Sequence, residues 1–266
     1  MHLLTIRIIS VMASLCAGLF MAVSAQANFQ IIENFDNLTL GNIDGQNGWR
    51  ATPGSGFVVI DPTDFNNQVI KVITESGNLY KPAKIKQGTM RMVFLRFRFE
   101  KHCEFSFGFS SEPMPYMHEH FGPELGMASA TASDPANEFR VANGFLSIGI
   151  YDGLKTIVPG TWYNIWILVN NASNTYQVWM TSGYGSSAQA IDRLVNSAKE
   201  SLFRFRTLTD KDLIMFFIKT ACGASPVDGQ FYLDDIFLED TGDINLNNPL
   251  PPRIMPPLIM LLLRNE

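Results

Sequence analysis

The chain has 266 residues, 46% of them hydrophobic and 17% charged, with a formal net charge of −5 at pH 7. That acidic balance excludes a nucleic-acid partner, which would require a basic stripe. The length fits a signal segment followed by one all-β domain.

The first stretch stands apart from the rest. Met1 to Arg7 carries one positive charge, Ile8 to Val23 is almost wholly apolar, and Ala25-Gln-Ala27 has the small residues of a cleavage site. The apolar run is shorter than the ~20 residues a membrane span needs. Residues 1–27 therefore read as a signal peptide, 28–242 as a β-sandwich and 243–266 as a Pro/Asn-rich tail with a short apolar end. The protein is expected to be exported, periplasmic or extracellular, with no transmembrane span in the mature chain. Removing one Arg and no acid leaves that mature chain at −6.

In chain order the expected strands are 29–35, 56–60, 69–74, 89–101, 103–110, 139–142, 145–151, 162–170, 175–181, 202–206, 213–220 and 230–238. Asn143-Gly144, Asp152-Gly153, Pro159-Gly160 and Asn170 to Asn174 supply turns between them. One short helix is expected over 188–201, where Ala190, Ile191, Leu194, Val195 and Ala198 fall at helical spacing. Several strands alternate with a period of two. Cys103, Phe105, Phe107 and Phe109 share one face, and Phe203 and Phe205 oppose Arg204 and Arg206. The pattern predicts an all-β, two-sheet antiparallel jelly roll with an aromatic core, closed by pairing of its first and last strands, 29–35 and 230–238.

Two cysteines follow the signal, Cys103 and Cys222. In an oxidising compartment they are expected to pair, although two separate buried thiols remain open. The tail ends in the apolar run Pro257 to Leu263, too short to cross a bilayer.

Three motifs carry a family resemblance. The opening Phe35-Asp36 leads through Leu40-Gly41 to Gly45-Gln-Asn-Gly-Trp49; the centre holds Thr161-Trp-Tyr-Asn-Ile-Trp-Ile-Leu-Val169 and then Asn174-Thr-Tyr-Gln-Val-Trp179; the closing run is Phe231-Tyr-Leu-Asp-Asp-Ile236. Together they resemble the concanavalin A-like lectin/glucanase superfamily, including laminin-G-like bacterial domains. The resemblance implies a jelly roll that binds or cleaves polysaccharide, and a structural Ca²⁺ held by Asp36, Asp234 and Asp235. A hard cation suits carboxylates gathered from distant sequence. The Glu-x-Asp-x-x-Glu strand of the laminarinase-type enzymes is missing, as are the Arg-x-Glu-x-Arg and Gln-x-His signatures of the alginate lyases.

Ligand contacts are expected from arginines opposite the aromatic core: Arg96, Arg98, Arg140, Arg204 and Arg206. Guanidinium forks bind carboxylate or sulfate in bidentate fashion, which points to an anionic polysaccharide. Tyr151, Trp166 and Trp179 are expected to offer stacking faces to sugar rings, while Trp49 and Trp162 pack inside. His118-Glu119-His120, with Glu124, reads as a surface loop between prolines. The preferred function is a non-catalytic, lectin-like carbohydrate-binding domain. A polysaccharide lyase using Arg96, Arg98 or Arg140 with Tyr151, His118 or His120 is the alternative, and a structural surface protein is a third reading.

Overall fold

A computed structural model describes residues 29–73, 78–100, 105–112, 140–142, 145–148, 151–196, 199–205, 208–220, 230–239 and 241–250. Among the described residues sixteen strands run in the order β1 Phe29–Glu33, β2 Gly41–Asn42, β3 Arg50–Ala51, β4 Gly56–Asp61, β5 Asp64–Ile73, β6 Asn78–Ile85, β7 Met90–Phe99 and β8 Phe105–Ser110. They continue as β9 Arg140–Ala142, β10 Phe145–Ile148, β11 Tyr151–Thr156, β12 Tyr163–Asn170, β13 Thr175–Ser182, β14 Phe203–Arg204, β15 Leu213–Thr220 and β16 Gln230–Glu239.

The larger sheet has the order β14-β13-β12-β7-β16-β5-β4-β2, with β1 added on β16; a second has the order β3-β6-β15-β8, and β11-β10-β9 form a small third. Every described pairing is antiparallel. The first and last strands of the described fold do pair, Phe29 opposite Glu239. The two-sheet sandwich and its closing seam are therefore as expected. Among the described residues, no helix is long and apolar enough to cross a membrane.

The core between the sheets follows the alternation. Phe97, Phe99, Phe107, Phe109, Phe203, Phe205, Phe216 and Phe231 are all buried there. Cutting one of these rings to Ala would cost about 3–5 kcal/mol, since packed surroundings cannot collapse onto the void. Gly56 is fixed by the same packing: a Cβ there would lie 2.4 Å from the Leu79 side chain.

Two local expectations give way. The helix over 188–201 is only a 3-10 turn, Ala190–Asp192. Tertiary pairing overrides the helical spacing: Leu194 N–H donates to Val178 O at 2.8 Å, Arg193 bridges to Trp179, and Leu194 enters the core while Ile191 stays exposed. Strand β6 escaped the pattern because Lys81, Pro82 and Lys84 interrupt its apolar residues. Its polar positions have a use, since Lys81 forms a buried ion pair with Glu33 at 3.1 Å.

The outer face of the larger sheet carries a second apolar layer. Met92, Phe94, Trp166, Leu168, Trp179 and Phe237 cluster there with Ala188 and Leu250. The segment 241–250 lies across it as a strap. The Glu239 carboxylate accepts the Thr241 and Gly242 N–H groups at the turn, and Gly242 has φ +82°, where a Cβ would sit 3.0 Å from Met90 O. Farther on, Trp166 Nε1 donates to Asn247 O at 3.1 Å, Ala188 N–H to Leu246 O at 2.9 Å, and Asn248 N–H to Ser187 Oγ at 2.9 Å.

Candidate functional site

The site arises where the last strand changes neighbours. Up to Leu233, β16 pairs with β5; beyond a bulge between Asp234 and Phe237 it pairs with β1. A bulge bends its strand and re-aims side chains. Asp235 takes φ 53° there, a left-handed conformation costly for a residue with a Cβ. The hairpin β4–β5 and the segment after β1 flank this point. Between them opens a cleft of about 390 Å³.

Three carboxylates and three amides border it: Asp36, Asp64 and Asp235, with Asn34, Asn66 and Asn67. Tyr184 forms one wall, and Phe237 and Leu250 add apolar surface. The strap thus contributes directly to the cleft. Phe65, on the same hairpin between Asp64 and Asn66, is 85% exposed.

A buried network holds the floor. Arg96 on β7 reaches Asp235 Oδ2 at 2.8 Å and Asp234 Oδ2 at 3.5 Å. Its guanidinium stacks on two rings, 4.6 Å from the Trp162 centroid and 4.9 Å from that of Tyr184. Asn67 Nδ2 donates to Asp234 Oδ2 at 2.8 Å and to Asp61 Oδ2 at 3.3 Å. Asp61 Oδ1 in turn accepts the Thr63 hydroxyl at 2.7 Å, and Thr63 Oγ1 accepts Trp162 Nε1 at 3.1 Å. One chain of contacts therefore links the hairpin tip, the bulge and the tyrosine wall.

The charges are unequally balanced. Burial holds the Asp234 carboxyl well above the usual carboxylate range; the Asp235 charge adds to this and Arg96 opposes it. Asp235 is also raised, chiefly by burial, with Arg96 pulling it down and Asp36 pushing it up. Asp36 itself accepts hydrogen bonds from Gln68 N–H at 3.3 Å and Asn34 Nδ2 at 3.1 Å.

The expected basic groove does not form among the described residues. Arg96 is buried and paired with acids. Arg98 is buried beside Glu100, to which its Nη2 is ion-paired, and Arg204 is exposed on β14 at the far edge of the sheet. The Arg140 and Tyr151 side chains and all of Arg206 lie outside the described residues, as do Cys103, Cys222, the His118–His120 loop with Glu124, and the apolar end of the tail.

Trp166 and Trp179 are not stacking faces. Both do point away from the main core, yet the strap and its neighbours leave them 0% and 3% exposed. Trp49 is packed as expected, but Trp162 is only half-buried and belongs to the site.

Asp36, Asp234 and Asp235 do not make the expected Ca²⁺ trio. Asp36 and Asp235 border the cleft, whereas Asp234 is 0% exposed and its oxygens already accept from Asn67 and the Asp235 N–H. Among the described residues no three His, Cys, Asp or Glu side chains converge to hold a metal ion. The donor set does not fit the ion as built.

No protein-family model matches the chain, and no curated protein matches it. Solved structures resemble it distantly. Peanut lectin is 14% identical, over 80% of this chain and 97% of the lectin, with a TM-score of 0.43. An endo-β-1,4-glucuronan lyase from Trichoderma reesei is 12% identical, over 75% and 93%, at 0.42. The catalytic domain of a glycoside hydrolase family 131 protein from Coprinopsis cinerea is 13% identical, over 82% and 98%, at 0.46. These likenesses are distant; the chain's own strand order defines an all-β antiparallel sandwich.

Sequence reasoning missed Tyr184, Asp64, Asn66 and Asn67. Only the Asp61-Pro-Thr-Asp64 turn signal hinted that this hairpin presents polar groups at one place.

Proposed function

We propose that the protein is an exported, non-catalytic carbohydrate-binding domain whose ligand is a neutral glycan. The observation that carries this reading is the cleft at the bulge, where carboxylates, amides and a tyrosine ring meet. Carboxylates accept hydrogen bonds from sugar hydroxyls, amides donate and accept, and an aromatic face covers the C–H face of a pyranose ring. The cleft volume lies within the range of small-ligand sites.

An anionic polysaccharide fits poorly. Asp36, Asp64 and Asp235 would repel it, and Arg96, which bonds to the cleft's Asp235, is committed to Asp234 and Asp235. The same commitment argues against a uronate lyase, which needs a cation free to neutralise the substrate carboxylate.

One observation favours hydrolysis as a second reading. Asp235 has a raised carboxyl and shares its cleft with Asp36 and Asp64, and glycoside cleavage uses an acid of raised pKa opposite an ionised partner.

One panel experiment separates these readings. Purified protein is titrated with neutral and uronate oligosaccharides while reducing ends and absorbance near 235 nm are followed. Binding to neutral sugars without turnover is expected, weakened about tenfold or more by Tyr184→Ala. Retention on uronates alone overturns the assignment, new reducing ends establish the hydrolase, and no binding at all favours a structural surface protein.

A further inference from the structure

A second hollow of about 480 Å³ adjoins the cleft. The two share Ile31 and Asn34, and the second is completed chiefly by Asn37, Leu38 and Asn47. Ile31, 59% exposed on β1, forms the saddle between them.

The chemistry differs across that saddle. The second hollow offers amides and aliphatic surface, and its one carboxylate is spent. Glu33 Oε1 accepts the N–H groups of Asn34 and Phe35, and Oε2 accepts Asn47 Nδ2, Trp49 Nε1 and Lys81 Nζ. With its Nδ2 committed to Glu33, Asn47 keeps its amide oxygen for a ligand. Asn37 is exposed and makes no hydrogen bond among the described residues, so both ends of its amide are available.

The backbone here is held in costly conformations. Phe35 has φ 60° and Asn47 φ 43°, both left-handed. For a bulky residue such as Phe that geometry persists only when its surroundings enforce it. Here the Phe35 ring stacks on Trp49, with centroids 5.8 Å apart. Phe35, Asn47 and Asp235 thus frame the two adjoining hollows with backbone that the fold must constrain.

We infer that the ligand is a chain of at least two neutral sugar units, not a single terminal sugar. One unit lies in the cleft against Tyr184. The next crosses Ile31 and occupies the amide hollow, where Asn37 and Asn47 supply donors and acceptors to its hydroxyls. This rests on the cleft being a glycan site and adds the length and neutrality of the ligand.

The test is a calorimetric titration with neutral gluco- and manno-oligosaccharides of one, two and four units. Wild type is expected to gain about tenfold in affinity from one unit to two, equivalent to roughly 1.4 kcal/mol. Asn37→Ala and Asn37→Leu, at an exposed position that borders only the second hollow, are expected to remove that gain and leave single-sugar binding unchanged. Equal wild-type affinity at every length overturns the second subsite and leaves the cleft reading standing. Variants that weaken single-sugar and chain binding alike also overturn it. Failure of the wild type to bind any sugar overturns both readings.

Discussion

Two buried charge centres lie on either side of the closing strand and are built on opposite terms. At Glu33 the carboxylate accepts from two backbone N–H groups, an amide, an indole and the Lys81 ammonium. At Arg96 one cation faces two carboxylates, its own Nε has no partner among the described residues, and both acids are raised by burial. The first centre is fully satisfied and pins the seam between β1, β3 and β6. The second keeps excess negative charge beside an open cleft. A fold tolerates such imbalance where charge must remain available to a ligand.

The comparison predicts an order of mutational cost. Arg96→Met removes the only cation bonded to Asp234 and Asp235 among the described residues, and is expected to lose about 3–5 kcal/mol in urea unfolding. Lys81→Met leaves Glu33 with four donors and should lose about 1–3 kcal/mol. A larger loss at Lys81 than at Arg96 would reverse the reading of the two centres.

Ligand binding sharpens the contrast further. Tyr184→Ala should weaken neutral-glycan affinity by about tenfold or more at a stability cost near 1 kcal/mol, because the ring is half-buried and stacked on one cation. Trp49→Phe, beside the Glu33 centre, removes the indole donor and is expected to cost stability without moving single-sugar affinity. Titration of both variants checks this, and equal losses of affinity would erase the distinction.

The acid pair adds a signature in pH. Groups whose folded pKa is raised bind protons more tightly in the native state, so their contribution is fully present below the unfolded value of 3.8 and is lost as pH climbs through the raised range. The wild type should therefore lose stability relative to Asp234→Asn as pH rises above 4. Urea midpoints of both proteins across pH 3.5 to 8 check this, and a stability difference that stays constant would remove Asp234 from the account.

These centres also show what could be read from the sequence. The Phe107/Phe109 and Phe203/Phe205 alternations declared the core because a pleated strand sorts side chains by parity. Pairing of the first and last strands followed from the motifs at each end. Arg96 was singled out on the correct face, yet its meaning was inverted: its acids arrive by a bulge that breaks the parity rule, and no local pattern announces a bulge. Trp166 and Trp179 also lie on the outer face as their parity required. Their burial depends on a strap more than sixty residues further along the chain, beyond the reach of any periodicity. Tyr184 follows β13 in a Gly-flanked loop and acquires its role only by stacking on Arg96.

The smallest expected effect concerns metal. A cation bridging Asp36, Asp234 and Asp235 would stabilise the native state by mass action, and its removal would then lower the melting temperature. The geometry opposes that outcome, because Asp234 is turned into the Asn67 and Arg96 network while Asp36 is held by Gln68 and Asn34. Melting with and without EDTA should therefore differ by less than about 1 °C, well under the roughly 2–4 °C that 1 kcal/mol represents in a domain of this size. A fall of several degrees, restored by Ca²⁺ and abolished in Asp36→Asn, would show that the cleft carboxylates draw together around a cation. The acid-rich centre would then be a metal site first, and the sugar hydroxyls would meet the ion instead of the bare carboxylates.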